Sequence, residues 1–597
     1  MPTTSKRTIR RTPTRRAPLT HHTTERAVHT EKAIHKETHH KEGDTKALRF
    51  VPLGGLEEIG RNMSYLEYGD EIVIMDMGFQ FPEEDTPGID YIIPNITSLT
   101  PKKENIRAVV ITHGHMDHIG AIPYILGKLG NPPIYTVRLT KALIEKRQAE
   151  FPNEPRPNII EVKYGDKKKV GQYFDLTFFG VDHTIPDSMG VVVGTPIGNI
   201  VNFGDFRLDR DKDGNIYRLD EIEKVGKMGI HSYLMDSTDA LKEGIGISEK
   251  TVEKNIEEIL KKAKKRIILT TFSSMITRIS EIIKIAERMG KKVAINGRSM
   301  RENMEIAKNL GILKYNEGTL ISPQEVNSTK DENLLIITTG AQGEPNSGFM
   351  RIVDGSHKHI QLKKTDTVIF SSSVVPGNER SVQSLTDNIA RQVDVVQNYK
   401  LLDIHAGGHA PQEDLKIAIK ALNPRFLVPI HAYYHMRTVA RQLGEEVGIK
   451  KENVKLPDNG DVCILGKDSF EITKEKVDTG YVMVDGLGVG DVEEVVLRDR
   501  RMLADDGMVV LIVTIDRKSG RVLKNPDIIS RGFIYLRENQ DMLKEMRSRV
   551  RGIVGRLPRT KNVDADYLKS LFRDQIGQFI YHKTQRRPMI LPVVIEI

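Results

Sequence analysis

A chain of 597 residues, 39% of them hydrophobic, is too long for one core and is expected to divide into three folded units and a tail. Its formal charge of +8 sits mostly at one end, where residues 1–46 hold 11 Lys/Arg against 5 Asp/Glu, and its one cysteine, Cys463, excludes a disulfide framework and leaves His and carboxylates to build any metal site. Apolar runs such as Val191–Val193 and Met508–Ile515 break well short of the roughly 20 residues that cross a bilayer, so a soluble protein is expected, and the single cysteine fits a reducing cytoplasm.

Residues 1–46 are rich in Thr, Arg, Lys and His, with too few large apolar side chains to offset the entropy of ordering. A disordered basic tail is expected. It carries no apolar stretch of the kind a signal peptide needs, and it serves either to touch phosphates or to solubilise.

Folded sequence begins near Leu48, and strands around Gly-rich turns dominate to about residue 235, with EIVIMDMG as one strand and VVVGTPIGNIVNFGD as a hairpin turning at Thr195–Gly198. From 236 to 394 the pattern changes to strand and helix alternation, RIILTTF then MITRISEIIKIAERMG then KKVAING, followed by the strands LLIITTG and DTVIFSSS. A second domain inserted into the first is therefore expected, the first spanning 47–235 and 395–465. Residues 466–477 read as a linker. The last unit, 478–597, is expected to have strands at Met508–Ile515 and Pro592–Ile597 and helices near Gln540–Val554 and Ala565–His582.

The chemistry concentrates where RAVVIT runs into His113-Gly114-His115-Met116-Asp117-His118. Two alternate side chains followed by an adjacent carboxylate and imidazole suit two ions better than one tetrahedral site. His183 in VDHTIPDS, Asp205 in NFGDF and His431 in PIHAYYH each stand at or just past a strand, where side chains converge at a sheet edge.

These motifs, in this order, resemble the metallo-β-lactamase superfamily, an αββα sandwich with a dinuclear zinc site. With the inserted α/β domain, HAGGHA, PIHA, PLGGLEEIGRN, TTGAQGEP and SSSVVPGNE, the chain is most similar to the β-CASP branch and to the bacterial ribonuclease J family, from Leu48 to Ile597. The resemblance implies that His113, His115 and His183 hold one zinc, that Asp117, His118 and His431 hold the other, and that Asp205 bridges them. Manganese is the alternative metal. Asp76 would orient the loop from behind. His405, Ala406, Gly407, Gly408 and His409 would line the substrate phosphate, the glycines letting backbone N–H groups face an anion, unless they form a plain turn. His409 would donate a proton to the leaving 3′-oxygen while Asp117 and Asp205 serve the nucleophile. Ser273, Ser274 and Ser371–Ser373 would either bind phosphate at helix N-termini or act as ordinary caps, and Arg278 and Arg298 are candidates for backbone phosphates.

The implied activity is 5′-to-3′ exonucleolytic cleavage of single-stranded RNA favouring a 5′-monophosphate, with endonucleolytic cleavage in addition, in RNA maturation and mRNA decay. The implied assembly is a homodimer or homotetramer, with other RNA-decay proteins or the ribosome as partners. A DNA-processing nuclease of the same branch and a non-catalytic RNA-binding scaffold are the alternatives. His431 counts against the first, and the complete ligand set against the second.

Overall fold

The computed structural model describes residues 47–597 apart from 83–85, 346, 376, 399–401, 487, 491, 493, 517, 518, 520, 536, 537 and 557–563. The basic tail expected at 1–46 lies outside the described residues.

Two mixed sheets make the first domain. The first has the spatial order Ser469–Lys476, Asp461–Gly466, Leu48–Gly54, Met63–Tyr68, Glu71–Met75, Ile106–Val110, Ile134–Thr136 and Ile159–Glu161. The second runs Phe426–Ile430, Ile230–Asp236, Asn199–Asn202, Met189–Gly194, Phe174–Gly180 and Lys167–Val170. Because strand side chains alternate between faces, Val73 and Met75 enter the core between the sheets with Phe50, Val110, Phe178, Val191 and Val428, while Ile72 and Ile74 face the opposite way. Helices cover both outer faces. Ile122, Ile125, Leu139 and Leu143 pack on the first sheet, and Ile222, Leu415, Ile419 and Leu443 pack on the second. The domain is thus an αββα sandwich.

This arrangement aims five strand ends at one edge. Glu71–Met75 and Ile106–Val110 are parallel in the first sheet, and Asn199–Asn202, Ile230–Asp236 and Phe426–Ile430 are parallel in the second. Their carboxyl ends deliver Asp76, His113, Asp205, Asp236 and His431.

The inserted domain is a six-stranded, wholly parallel sheet, ordered Leu320–Ile321, Lys292–Asn296, Leu334–Thr338, Ile267–Thr270, Thr367–Phe370, Val395–Asn398, with helices on its faces. Val395–Asn398 pairs with Thr367–Phe370, so the insertion extends beyond the boundary expected at 394. The helix Glu249–Lys262, absent from the sequence reading, buries Val252, Ile256 and Leu260 against Ile276–Arg288.

The expected linker at 466–477 is instead largely strand. Ser469–Lys476 forms the edge of the first sheet, with only Phe470 buried. Val482–Asp485 likewise pairs back onto Tyr91–Ile93. The last unit has its sheet in the order Asp527–Arg531, Met508–Ile515, Met589–Glu596, with the helices Gln540–Gly555 and Ala565–Thr584 packed on one face through Leu511, Val513, Met546, Val550, Phe572 and Ile576.

Candidate metal centre

Asp76 closes its strand in left-handed backbone, at φ 56°, a conformation that Asp tolerates better than most residues. Its carboxylate accepts hydrogen bonds from the Thr112 N–H at 2.8 Å, from Thr112 Oγ1 at 3.1 Å and from His118 Nδ1 at 2.9 Å. It therefore fixes both the entry to the HGHMDH loop and the tautomer that turns His118 Nε2 inward. Gly78 lets the loop approach, since a Cβ there would stand 1.5 Å from the Asp117 carbonyl oxygen.

Seven side chains then converge. His113 Nε2 lies 3.1 Å from His115 Nδ1, which lies 3.0 Å from His183 Nε2, and Asp205 Oδ2 stands 3.7 and 3.9 Å from the His113 and His183 nitrogens. On the other side His118 Nε2 is 3.4 Å from Asp117 Oδ2 and 3.2 Å from Asp205 Oδ1, while His431 Nε2 is 3.3 Å from Asp117 Oδ2. Within each of these four-residue groups, and within a third made of Asp205, Asp236, His409 and His431, the ligand atoms lie within 4.8 Å of one another, and Asp205 belongs to all three.

Such packing suits a cation. His113, His115 and His183 face one another ring nitrogen to ring nitrogen, and buried Asp205 Oδ1 and His431 Nε2 meet only ionisable partners, His118 and His431 for the one and Asp117 for the other, so the balance of this low-dielectric interior rests on positive charge. The electrostatics agree. Burial pushes His113 and His183 well below the usual imidazole pKa. Burial opposes charge on His118 and His431 as well, but Asp205 and its neighbours outweigh it and hold both well above the usual value. Metal binding would take the place of those protons. The buried His/Asp donor set, with no thiolate, can bind metal ions, and Zn2+ and Mn2+ both suit it.

The HAGGH segment is placed differently from expectation. Gly408 presents its carbonyl, which accepts from His183 Nδ1 at 2.7 Å and so turns Nε2 toward Asp205. The glycine is needed because a Cβ would stand 2.7 Å from the His183 ring. His405 turns instead into the joint between the domains, where its Nδ1 lies 2.8 Å from the Arg278 guanidinium. His409 alone of the two histidines reaches the cluster, its ring centroid 5.6 Å from those of His183 and His431.

Arg278, expected to be a surface phosphate ligand, is 3% exposed and ion-paired with Glu249. Its helix position looks outward only if the inserted domain is considered alone. Ser371 is fully buried and ties its hydroxyl to the Ile404 carbonyl at 2.7 Å. Ser273 and Ser274 precede the helix Ile276–Arg288 without capping it, and Arg298 is exposed at the start of Arg298–Asn309.

Four polar residues at the centre escaped the sequence reading. Asp236 accepts from His409 Nδ1 at 2.7 Å, and Thr238 Oγ1 donates to Asp236 at 2.7 Å or to the His431 carbonyl at 2.8 Å. Asn62 Nδ2 sits 3.1 Å from His118 Nε2, and Arg207 reaches the Gly407 carbonyl. The available signal was YLMDST, an apolar strand ending in Asp just as NFGD does.

Comparison with known proteins agrees with this architecture. The metallo-β-lactamase superfamily model matches residues 58–252, the ribonuclease J β-CASP domain model 264–389, and the ribonuclease J C-terminal domain model 495–597. Ribonuclease J2 of Bacillus subtilis is 34% identical over 93% of this chain and 100% of its own length, and ribonuclease J 1 of Streptococcus pyogenes is 37% identical over 91% and 96%. A crystal structure of a protein of unknown function from Enterococcus faecalis V583 aligns with TM-score 0.51 at 18% identity, covering 70% of this chain and 100% of that one, which speaks for the fold alone. With that identity sustained over more than nine-tenths of the sequence, the chain belongs to the ribonuclease J family of metallo-β-lactamase proteins with a β-CASP domain.

Proposed function

We propose that the protein is a two-metal ribonuclease that degrades single-stranded RNA from a 5′-monophosphorylated end and also cuts internally. The observation that carries this reading is Asp205, one buried carboxylate shared by both His/Asp groups to which the HGHMDH loop contributes. His113, His115 and His183 would hold one Zn2+ or Mn2+, Asp117, His118 and His431 the other, and Asp205 would join them. When bound, the ions supply Lewis-acid charge for the phosphate and lower the pKa of the attacking water.

The protein's own groups divide the remaining work. Asp117, with one face toward His431 and His118, receives the proton of the nucleophile. Asp236 holds His409 by Nδ1, which leaves Nε2 to donate to the departing 3′-oxygen. Burial lowers the His409 pKa, while Asp236 and then Asp205 raise it above the usual imidazole value; Asp236, which holds no ion in this reading, is the partner that keeps the ring a proton donor. Gly408 and Asp76 fix the orientation of His183 and His118.

The family resemblance supports RNA as substrate, cytoplasmic action in RNA maturation and mRNA decay, and assembly as a dimer or tetramer, with RNA-decay proteins or the ribosome as further partners. No helix among the described residues is long and apolar enough to cross a membrane.

The test uses purified protein with Zn2+ or Mn2+ on matched single-stranded RNA and DNA bearing 5′-monophosphate, 5′-triphosphate or 5′-hydroxyl ends, with His113→Ala as control. Stepwise release of mononucleotides from 5′-monophosphorylated RNA, absent in the control, is expected. Equal cutting of DNA would move the reading to a DNA-processing nuclease, and no cutting at all to a scaffold.

A further inference from the structure

Glu249 lies at the joint between the inserted domain and the metal-bearing sandwich, and it touches none of the metal-binding candidates. It is the first residue of the helix Glu249–Lys262, whose start Ser248 caps by accepting from the Thr251 N–H. Its own N–H donates to Asp209 at 3.2 Å. Its carboxylate takes two guanidinium groups at once: Arg278 binds both oxygens, at 2.5 and 3.2 Å, and Arg207 binds Oε1 at 3.1 Å. Both arginines are buried, Arg278 at 3% and Arg207 at 7% exposure.

Those two arginines hold three consecutive residues of the HAGGH segment. Arg278 meets His405 Nδ1 at 2.8 Å and donates to the Ala406 carbonyl at 3.3 Å and to the Ser371 carbonyl at 3.3 Å. Arg207 donates to the Gly407 carbonyl at 3.3 Å. The next carbonyl, that of Gly408, accepts from His183, and the residue after it is His409, held by Asp236. One carboxylate thus stands behind the contacts at 405, 406 and 407, and the next two residues along the chain are Gly408 and His409.

Without the Glu249 charge Arg278 would be buried with no carboxylate partner and Arg207 would keep only Asp209, 3.1 Å away, so Arg278 above all has reason to move toward water. Their carbonyl partners would move with them. A shift of about 1 Å in a positioning segment can cost on the order of a hundredfold in rate.

We propose that Glu249 is a positioning residue: through Arg278 and Arg207 it sets segment 405–408, and thereby the orientation of His183 and the placement of His409. The position of the inserted domain is in this way read out at the reacting centre. A cavity of about 400 Å3 lined by Arg207, Glu249, Arg278 and His183 adjoins the joint, leaving room for the two guanidinium groups to move when the tie is lost.

The kinetic consequence rests on the ribonuclease reading above, whereas the structural consequence does not. Full-length wild type, Glu249→Gln and Arg278→Lys are compared for kcat and KM on a single-stranded oligoribonucleotide with Mn2+, and for amide hydrogen exchange of residues 404–410. Glutamine keeps the size of the side chain and removes its charge. Lysine keeps the charge at 278 but cannot reach Glu249, His405 and two carbonyls together. In both variants kcat should fall at least about tenfold with KM within about twofold, the pattern of misplaced reacting groups. Exchange at 404–410 should rise about tenfold while the helix 249–262 keeps its protection.

Unchanged exchange at 404–410 would overturn the proposal, as would a rise spread equally over 249–262, which would make Glu249 a mere tie between domains. If Glu249→Gln does not fold, Arg278→Lys decides by the same readings. If wild type cleaves no RNA, the ribonuclease reading fails, and exchange at 404–410 still decides whether Glu249 positions the segment.

Discussion

His409 Nδ1 lies 2.7 Å from Asp236 Oδ2, and the Asp236 side chain is 1% exposed. A buried carboxylate that accepts from one ring nitrogen fixes the tautomer and aims the other nitrogen outward. Asp236→Asn should therefore lower kcat by about a hundredfold or more, the size expected for loss of a positioned general acid, while bound metal stays at the wild-type level. Metal analysis of the purified variant beside its rate decides between roles. Loss of an ion would show that Asp236 is a ligand instead.

Asp205 contributes to both His/Asp groups, so its replacement should act on both ions together. Asp205→Ala is expected to lose both metals and all detectable cleavage, whereas Asp117→Ala should lose mainly the ion on its own side. Elemental analysis of the two variants is the measurement. Chelation of the wild type should also lower its melting temperature, since a ligand bound only to the folded state stabilises it by mass action. A melting temperature indifferent to chelator and to added Zn2+ or Mn2+ would contradict a resident metal centre.

The HGHMDH loop stands out in the sequence because four candidate ligands, three His and one Asp, crowd into His113–His118, and chance seldom does that. His183, Asp205 and His431 were legible because each follows an apolar strand whose length fixes where it ends. Asp236 has the same signature in YLMDST, but one Asp after a strand is commonplace, and only the fold brings His409 to it from 173 residues away. Arg278 was misread for a related reason. Its partner Glu249 is 29 residues distant, and helix periodicity within one domain cannot show that another domain covers the face. The strand Ser469–Lys476 failed differently. As a sheet edge with one buried residue, Phe470, it lacks the apolar alternation by which strands are recognised.

Glu249 also gives a pH signature. Burial raises its pKa, but Arg278 and Arg207 outweigh this and hold it at about 2, below the ordinary 4.5. The groups facing it are Arg278 from its own domain and Arg207 and Asp209 from the sandwich, with His405 behind Arg278. A depressed carboxylate stabilises the fold fully above its unfolded pKa and loses that contribution as pH falls through the folded value. The window is therefore about pH 4.5 down to 2, and the contribution above it is roughly 3 kcal/mol at most. Wild type should melt higher than Glu249→Gln at pH 6, with the gap closing as pH falls below 4.5. A gap that stays constant with pH would mean that the ion pair contributes no charge-dependent stability.

The open face of the C-terminal sheet carries the last expectation. Val510 is paired with Ile529 on one side and Leu591 on the other, and Ile512 with Val593, so an apolar row crosses all three strands on the side away from the helices. Ile529, Leu591, Val593 and Ile595 are each 39–43% exposed, and adjoining apolar side chains left open in this way commonly mark a protein contact. A self-associating chain would bury this row against a second copy. Val593→Lys would then place a charge at its centre, which costs far more in a dry interface than on a solvated sheet. Sedimentation of the variant should show a shift toward monomer at micromolar concentration, with the metal centre and the melting of the sandwich unchanged. An unaltered mass would place the contact between copies elsewhere on the chain.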